Sequence, residues 1–249
     1  MAGGFLRNVL VQDACVRCAT PVARQGSCTD CSRESLIEGI HDLTGFMTYA
    51  GYLAPITQSG HTMRNYKNPR VSSEPSTVVA LLAAIGLIDH VHCAGLLVGQ
   101  PVSAWATVPS LPPKPHIPVH PLSTIVQRIA RDGALEIPLT AAMNVVLPRA
   151  INLEHFSADP ALADGRHVLL IDDTWTTGHH VTSAALAIRR AGASRVSVLA
   201  LARWLSLGFG DTTEAWARLH LVGPDYNPSV CPWTRGPCPS SLSQLAPWR

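Results

Sequence analysis

A chain of 249 residues with 19 Lys and Arg against 17 Asp and Glu carries a formal net charge of +2, with 14% charged and 47% hydrophobic residues. That apolar content excludes intrinsic disorder, and the missing basic excess argues against bulk nucleic-acid binding through phosphate neutralisation. The longest apolar run, Val78 to Ile88, is closed by Asp89, well short of the about 20 residues that a membrane span needs. The N-terminal MAGGFLRNVLVQDAC holds no sustained apolar stretch ahead of a cleavage site, so no membrane contact and a cytoplasmic, reducing setting are expected.

Four of the seven cysteines come first, as CVRC (Cys15, Cys18) and CTDC (Cys28, Cys31). Two intervening residues let a tight turn aim two thiolates at one ion, and two such turns complete a tetrahedral sulfur shell suited to a structural Zn²⁺. Two disulfides or free thiols are the alternatives, disfavoured in a reducing compartment. Residues 34–70 read as a connector with short elements, and Tyr66 and Lys67 within it as a solvated loop in preference to residues that reach a ligand site. Ser73, Pro75 and Ser76 start a helix that runs to about Ile88, apolar nearly all round and therefore buried. Cys93 reads as a small core residue. Trp105 to Val108 is a short buried strand, and it runs into SLPPKPHIPVHP, whose prolines exclude regular structure. Leu122, Ile125, Val126 and Ile129 mark one face of the next helix. Ala141 to Leu147 is a weaker strand, and the polar stretch from Pro148 to Gly165 suits a mobile loop.

The strongest signal follows. HVLLI (His167 to Ile171) is apolar throughout, as in a strand covered on both faces, and gives way to Asp172-Asp173 and Thr174-Trp175-Thr176-Thr177-Gly178. A helix from about His179 to Ala191 and a strand from Val196 to Leu201 complete a parallel strand–helix–strand unit. Arg218 to Val222 reads as one more edge strand. The turn into the helix presents backbone N–H groups and a positive helix end, which favour a phosphate. Two acids beside it suit a ligand that also carries hydroxyls or Mg²⁺. Adjacent residues on a helix diverge by about 100°, so His179 and His180 do not share an ion. Cys231 and Cys238, in CPWTRGPC, stay open between free thiols, half of a second metal site and a disulfide.

VLLIDDTWTTG (Val168 to Gly178) resembles the phosphoribosyl pyrophosphate (PRPP) signature of type I phosphoribosyltransferases, and together with the two CxxC pairs the chain resembles the ComF branch of that family. The resemblance implies that Asp172 and Asp173 hold the ribose hydroxyls and are the catalytic residues, in an electrostatic rather than a proton-transfer role. It implies that Thr174, Trp175, Thr176, Thr177 and Gly178 wrap the 5′-phosphate, with Trp175 either packed in the core or stacked on a base. Ser110 and Lys114, and His116 beside them, fall where the family places its pyrophosphate loop, and Arg149 to Asp159 where it places a flexible loop. The fold class expected is therefore α/β, a parallel-sheet phosphoribosyltransferase-like domain with a small four-cysteine zinc ribbon. The divisions expected are a zinc-ribbon module over residues 1–40, a hood or connector with a buried helix over 41–100, the phosphoribosyltransferase-like domain over 101–225 and a Pro/Cys-rich tail over 226–249. The activity implied is transfer of the 5-phosphoribosyl group from PRPP, with Mg²⁺, to a nitrogenous acceptor. The alternatives are a PRPP or nucleotide sensor and an accessory protein of DNA uptake. A homodimer stays open.

Overall fold

The computed structural model describes residues 5–9, 13–23, 26–29, 31, 40–68, 73–113, 119–130 and 134–240. Its centre is a five-stranded parallel sheet. In chain order the strands are β1 (Leu43–Gly51), β2 (Ala104–Thr107), β3 (Leu135–Glu136), β6 (His167–Trp175) and β7 (Arg195–Leu205), and across the sheet they lie in the order β1-β7-β6-β2-β3. A second, two-stranded antiparallel ladder joins β4 (Thr140–Ala141) to β5 (Phe156–Ser157). The helices are α1 (Thr57–Asn65), α2 (Glu74–Ala84), α3 (Val91–Val98), α4 (Pro121–Ile129), α5 (Pro160–Ala163), α6 (His179–Arg190) and α7 (Glu214–His220).

Period-two alternation gives the central strands two apolar faces. On β6, Val168 and Leu170 join one core cluster with Val181, Ala184 and Ile188 of α6, while Leu169 and Ile171 join the other with Leu82 of α2 and Leu122 and Val126 of α4. Each such side chain contributes about 1.5–3 kcal/mol on burial. The parallel α/β class expected from the sequence, carrying a small cysteine module, is the one observed.

Several local expectations need correction. The stretch expected to be a connector contains β1, which pairs in register with β7 from Leu43↔Ser197 to Gly51↔Leu205. β1 is hard to see in the sequence because its buried face is spread over small residues such as Thr48, Ala50 and Gly51. The helix after Ser73 is not buried all round: Leu81 is 49% and Ile88 67% exposed. It passes from α2 into a π-helical turn, Ile85–Asp89, and the axis bends by 45° before α3. No single helix among the described residues is long and apolar enough to cross a membrane. Ala141 to Leu147 is not a strand beyond the Ala141 rung, and Val146 is 92% exposed. Arg218 to Val222 is no edge strand either. Thr213 accepts a hydrogen bond from the Trp216 N–H at 3.1 Å and Glu214 pairs with Arg218 at 3.6 Å, so the segment closes as α7.

Candidate functional site

A cleft of about 580 Å³ opens at the C-terminal ends of β2, β6 and β7, the end where parallel α/β sheets bind ligands. Contrary to expectation, β6 does not stop at the acids. It stays paired with β7 through Asp172↔Ala200 and Thr174↔Ala202 to Trp175↔Arg203, so both acids are held on a regular strand. Thr176 and Thr177 then form an exposed turn, and Gly178 at φ +86° enters α6 with no side-chain cap. The first backbone N–H groups of a helix have no acceptor within it, so this end offers donors and a positive dipole to the cleft.

Trp175 is 5% exposed, and its ring is turned into the core rather than toward a ligand. It packs edge-on to Phe46 at 5.5 Å and to His41 at 6.0 Å. A Cβ added at Gly178 would lie 2.3 Å from the Trp175 ring. Gly178→Ala combines that overlap with a left-handed backbone, and it is expected to cost about 2–3 kcal/mol in urea unfolding. Adding Trp175→Leu should recover part of the loss, since it clears the ring but leaves the strained φ.

The two acids have opposite surroundings. Asp173 is 5% exposed; its carboxylate accepts a hydrogen bond from the Tyr66 hydroxyl, pairs with the Lys67 ammonium, and lies 3.7 Å from His120 Nε2. Burial opposes its ionisation, but Lys67 and His120 outweigh that and hold its pKa below the ordinary carboxylate value. Asp172 is half-buried and forms no ion pair among the described residues; its Oδ1 accepts the Asp173 N–H at 3.0 Å. Burial, then the neighbouring Asp173 charge, push its pKa up. His120 Nδ1 accepts from the Leu122 N–H at 3.3 Å, capping α4 and leaving Nε2 to carry the proton toward Asp173.

Tyr66 and Lys67, expected in a solvated loop, thus clasp the site from just beyond α1. Ser110 lines the cleft, as does Arg149. Lys114 and His116 lie outside the described residues. The stretch after Pro148 is docked rather than loose. His180 Nε2 donates to the Pro148 carbonyl at 2.7 Å, His179 Nδ1 to the Arg149 carbonyl, and the Asn152 N–H to Ser183 Oγ at 3.0 Å. The adjacent histidines thus each tie α6 to a backbone carbonyl of this stretch.

Cys15, Cys18, Cys28 and Cys31 converge, with all four sulfurs within 4.8 Å of one another. The Cys18 and Cys28 sulfurs lie 3.6 Å apart. That is too long for a disulfide bond of about 2.05 Å, and it matches the about 3.7 Å edge of a tetrahedron with Zn–S bonds of about 2.3 Å. The surroundings fit a dianionic zinc tetrathiolate. Arg203 is wholly buried and Arg235 is 4% exposed, yet neither meets a carboxylate among the described residues. Arg203 donates to the carbonyls of Cys18, Trp175, Thr176 and Trp204 and to Thr20 Oγ1. Arg235 donates to the Cys15 and Val16 carbonyls, both at 3.0 Å. Two buried cations beside four convergent thiols supply the charge that such a centre needs.

No protein-family model matches the chain. No curated protein matches it either. Among solved structures it is similar to the allosteric regulatory enzyme of purine biosynthesis, at 16% identity over 49% of this chain and 26% of that one, with a TM-score of 0.32. It is similar at the same identity and score to UMP synthase of Leishmania donovani, over 75% of this chain and 30% of that one. A hypothetical protein from Neisseria gonorrhoeae with bound ppGpp follows at 13% identity, over 55% and 72% of the two chains, with a TM-score of 0.30. The chain thus spans less than a third of the length of the first two.

Tyr66 and Lys67 reach Asp173 across a separation of more than a hundred residues, the less favoured of the two sequence readings, since no local pattern sets it above a solvated loop. Arg203 carries a fainter signal, a cation within the apolar run VSVLALARWL, which a buried strand tolerates only when its charge is answered.

Proposed function

We propose that this chain binds PRPP with Mg²⁺ and transfers its 5-phosphoribosyl group to a nitrogenous acceptor. The observation that carries this reading is the pairing, in one cleft, of the uncapped α6 N-terminus at Gly178 with Asp172, an acid without an ion-pair partner among the described residues, on the strand that leads into the same turn. The N–H groups and the Thr176 and Thr177 hydroxyls receive the 5′-phosphate. Asp172 accepts hydrogen bonds from the ribose hydroxyls, fixing C1 and countering positive charge that develops on the ring. Asp173, engaged by Lys67, Tyr66 and His120, holds the floor of the site in place.

In the reaction the acceptor nitrogen forms the N–C1 bond as the C1–O bond to pyrophosphate breaks, and the electron pair leaves with the pyrophosphate. Mg²⁺ bound with PRPP, which the Asp172 carboxylate would attract, would supply neutralisation of that leaving group. Ser110 and Lys114 are the candidates to receive it. Trp204 and Phe209 are the aromatic side chains that line the cleft without being fully buried, and they take the place of Trp175 as the surface for an aromatic acceptor.

Binding without turnover is a second reading, favoured by the engagement of Asp173, which leaves one free acid for two ribose hydroxyls. Calorimetry with PRPP and Mg²⁺ tests the shared part: wild type is expected to bind, and Asp172→Asn to bind at least about tenfold more weakly, the loss of a charge-assisted hydrogen bond. Absence of wild-type binding, or unchanged affinity in Asp172→Asn, overturns the assignment. Pyrophosphate released in a screen of purine, pyrimidine and small-heterocycle acceptors selects transferase over sensor.

A further inference from the structure

We propose that His90, Cys93, Cys231 and Cys238 form a second zinc centre, which fastens the segment around Cys231 to the bend between α2 and α3. Their ligand atoms all lie within 4.8 Å of one another. His90, Cys93 and Cys231 are at most 2% exposed, and Cys238 is partly buried. The histidine is set for coordination. Its Nε2 meets the Pro228 carbonyl at 2.8 Å and so carries the proton, leaving the Nδ1 lone pair facing Cys238 Sγ at 3.4 Å. A ring nitrogen bonded to a carbonyl while the other faces the ligand set is the usual outer support of a metal-bound imidazole.

The backbone adds an independent observation, because the same turn is built twice. At the N-terminal cluster the Cys15 N–H donates to the Thr20 carbonyl at 2.7 Å, the Ala19 N–H to the Cys15 carbonyl at 2.9 Å, and Ala19 sits at φ +56°. At the other end the Cys231 N–H donates to the Gly236 carbonyl at 2.8 Å, the Arg235 N–H to the Cys231 carbonyl at 2.8 Å, and Arg235 also sits at φ +56°. The bonds span the same offsets, and both central residues are non-glycines held in the left-handed region, a conformation that ordinary L-residues avoid. Thr234 stands where the first turn has its second cysteine, and Cys238, His90 and Cys93 complete the set.

Three thiolates and one imidazole form a closed tetrahedral shell with no open position, so the centre is structural. His90 is the N-cap of α3 and Cys93 follows three residues later, with its N–H on the His90 carbonyl at 2.9 Å, so both stand on the same side of that first turn. With the centre formed, the loop sets Trp233 against Gly45, where a Cβ would lie 2.9 Å from the indole nitrogen, and aims Arg235 at the Cys15 turn. Each metal centre thereby supports the other through one arginine.

Metal analysis of the full chain, purified without chelator, tests this. The expected content is two zinc ions per chain, falling to one in Cys93→Ser/Cys231→Ser and to the other one in Cys15→Ser/Cys18→Ser, while His90→Cys keeps two. Cobalt substitution should show thiolate charge-transfer bands from seven thiolates, reduced to four when the second centre is removed. If the double variants fail to fold, mercurial titration of wild type decides, with two zinc ions released expected. One zinc ion in wild type that survives Cys93→Ser/Cys231→Ser, release of a single ion, or a native Cys231–Cys238 disulfide overturns the proposal.

Discussion

Asp173→Asn is expected to lower stability at neutral pH by about 3 kcal/mol, the cost of stranding one member of a buried ion pair. The substitution leaves the Lys67 ammonium beside a neutral amide and replaces the charged acceptor of the Tyr66 hydroxyl by an uncharged one. The pH dependence follows from the direction of the shift. A carboxyl held below its ordinary pKa contributes stability that is fully present above the ordinary value and is lost as pH falls through the lowered one. The gap between wild type and Asp173→Asn should therefore be widest at neutral pH and close in acid. Asp172→Asn should behave oppositely. Its carboxyl is pushed up by burial and by Asp173, so ionising it costs the folded state increasingly as pH rises past the ordinary carboxylate range. The asparagine variant should unfold at higher urea than wild type at neutral pH even though it has lost the ligand contact. Urea unfolding of both variants across pH checks the pair, and shifts of the same sign would show that the two environments have been assigned wrongly.

Arg203→Met is the second large effect, with an expected loss of about 5 kcal/mol from several buried acceptors left unsatisfied at about 1–3 kcal/mol each. The side chain is wholly buried and bonds both the Cys18 turn and the Trp175 and Thr176 carbonyls of the turn into α6. Zinc retention should fall together with PRPP affinity, because one guanidinium holds both loops. Arg203→Lys keeps the charge but not the planar fork, so it should lie between wild type and Arg203→Met. Full zinc content with stability within about 1 kcal/mol of wild type would remove Arg203 from this role.

What can be read in advance is whatever has a short period or a short spacing. HVLLI, the acids after it and the helix opened by Gly178 announce themselves within a dozen residues, and CVRC and CTDC within seventeen. β1 does not, because Thr and Gly break up its apolar residues Leu43, Phe46, Met47, Tyr49 and Ala50, and the strand pattern shows only when β7 lies beside it. The partners of Asp173 are hidden for a related reason. Lys67 and His120 reach it from opposite sides of β2 in the sequence, and His90 meets Cys238 across 148 residues. Long-range pairing leaves no local pattern. In α7 the local signals conflict, and Thr213 with the Glu214–Arg218 pair outweighs the β-propensity of its last residues.

The bonds from Arg235 to the carbonyls of Cys15 and Val16 span 220 and 219 residues, and they set an order for biosynthesis. On the ribosome the Cys15–Cys31 cluster emerges well before its brace, β1 has no neighbour until β7 is made, and the Cys15 turn has no brace until residue 235 has left the exit tunnel. Contacts of this span close late and slowly. The Cys15 turn and β1, made long before their partners, are therefore among the last parts to be finished, and until then the unpaired edge of β1 is open to misassembly.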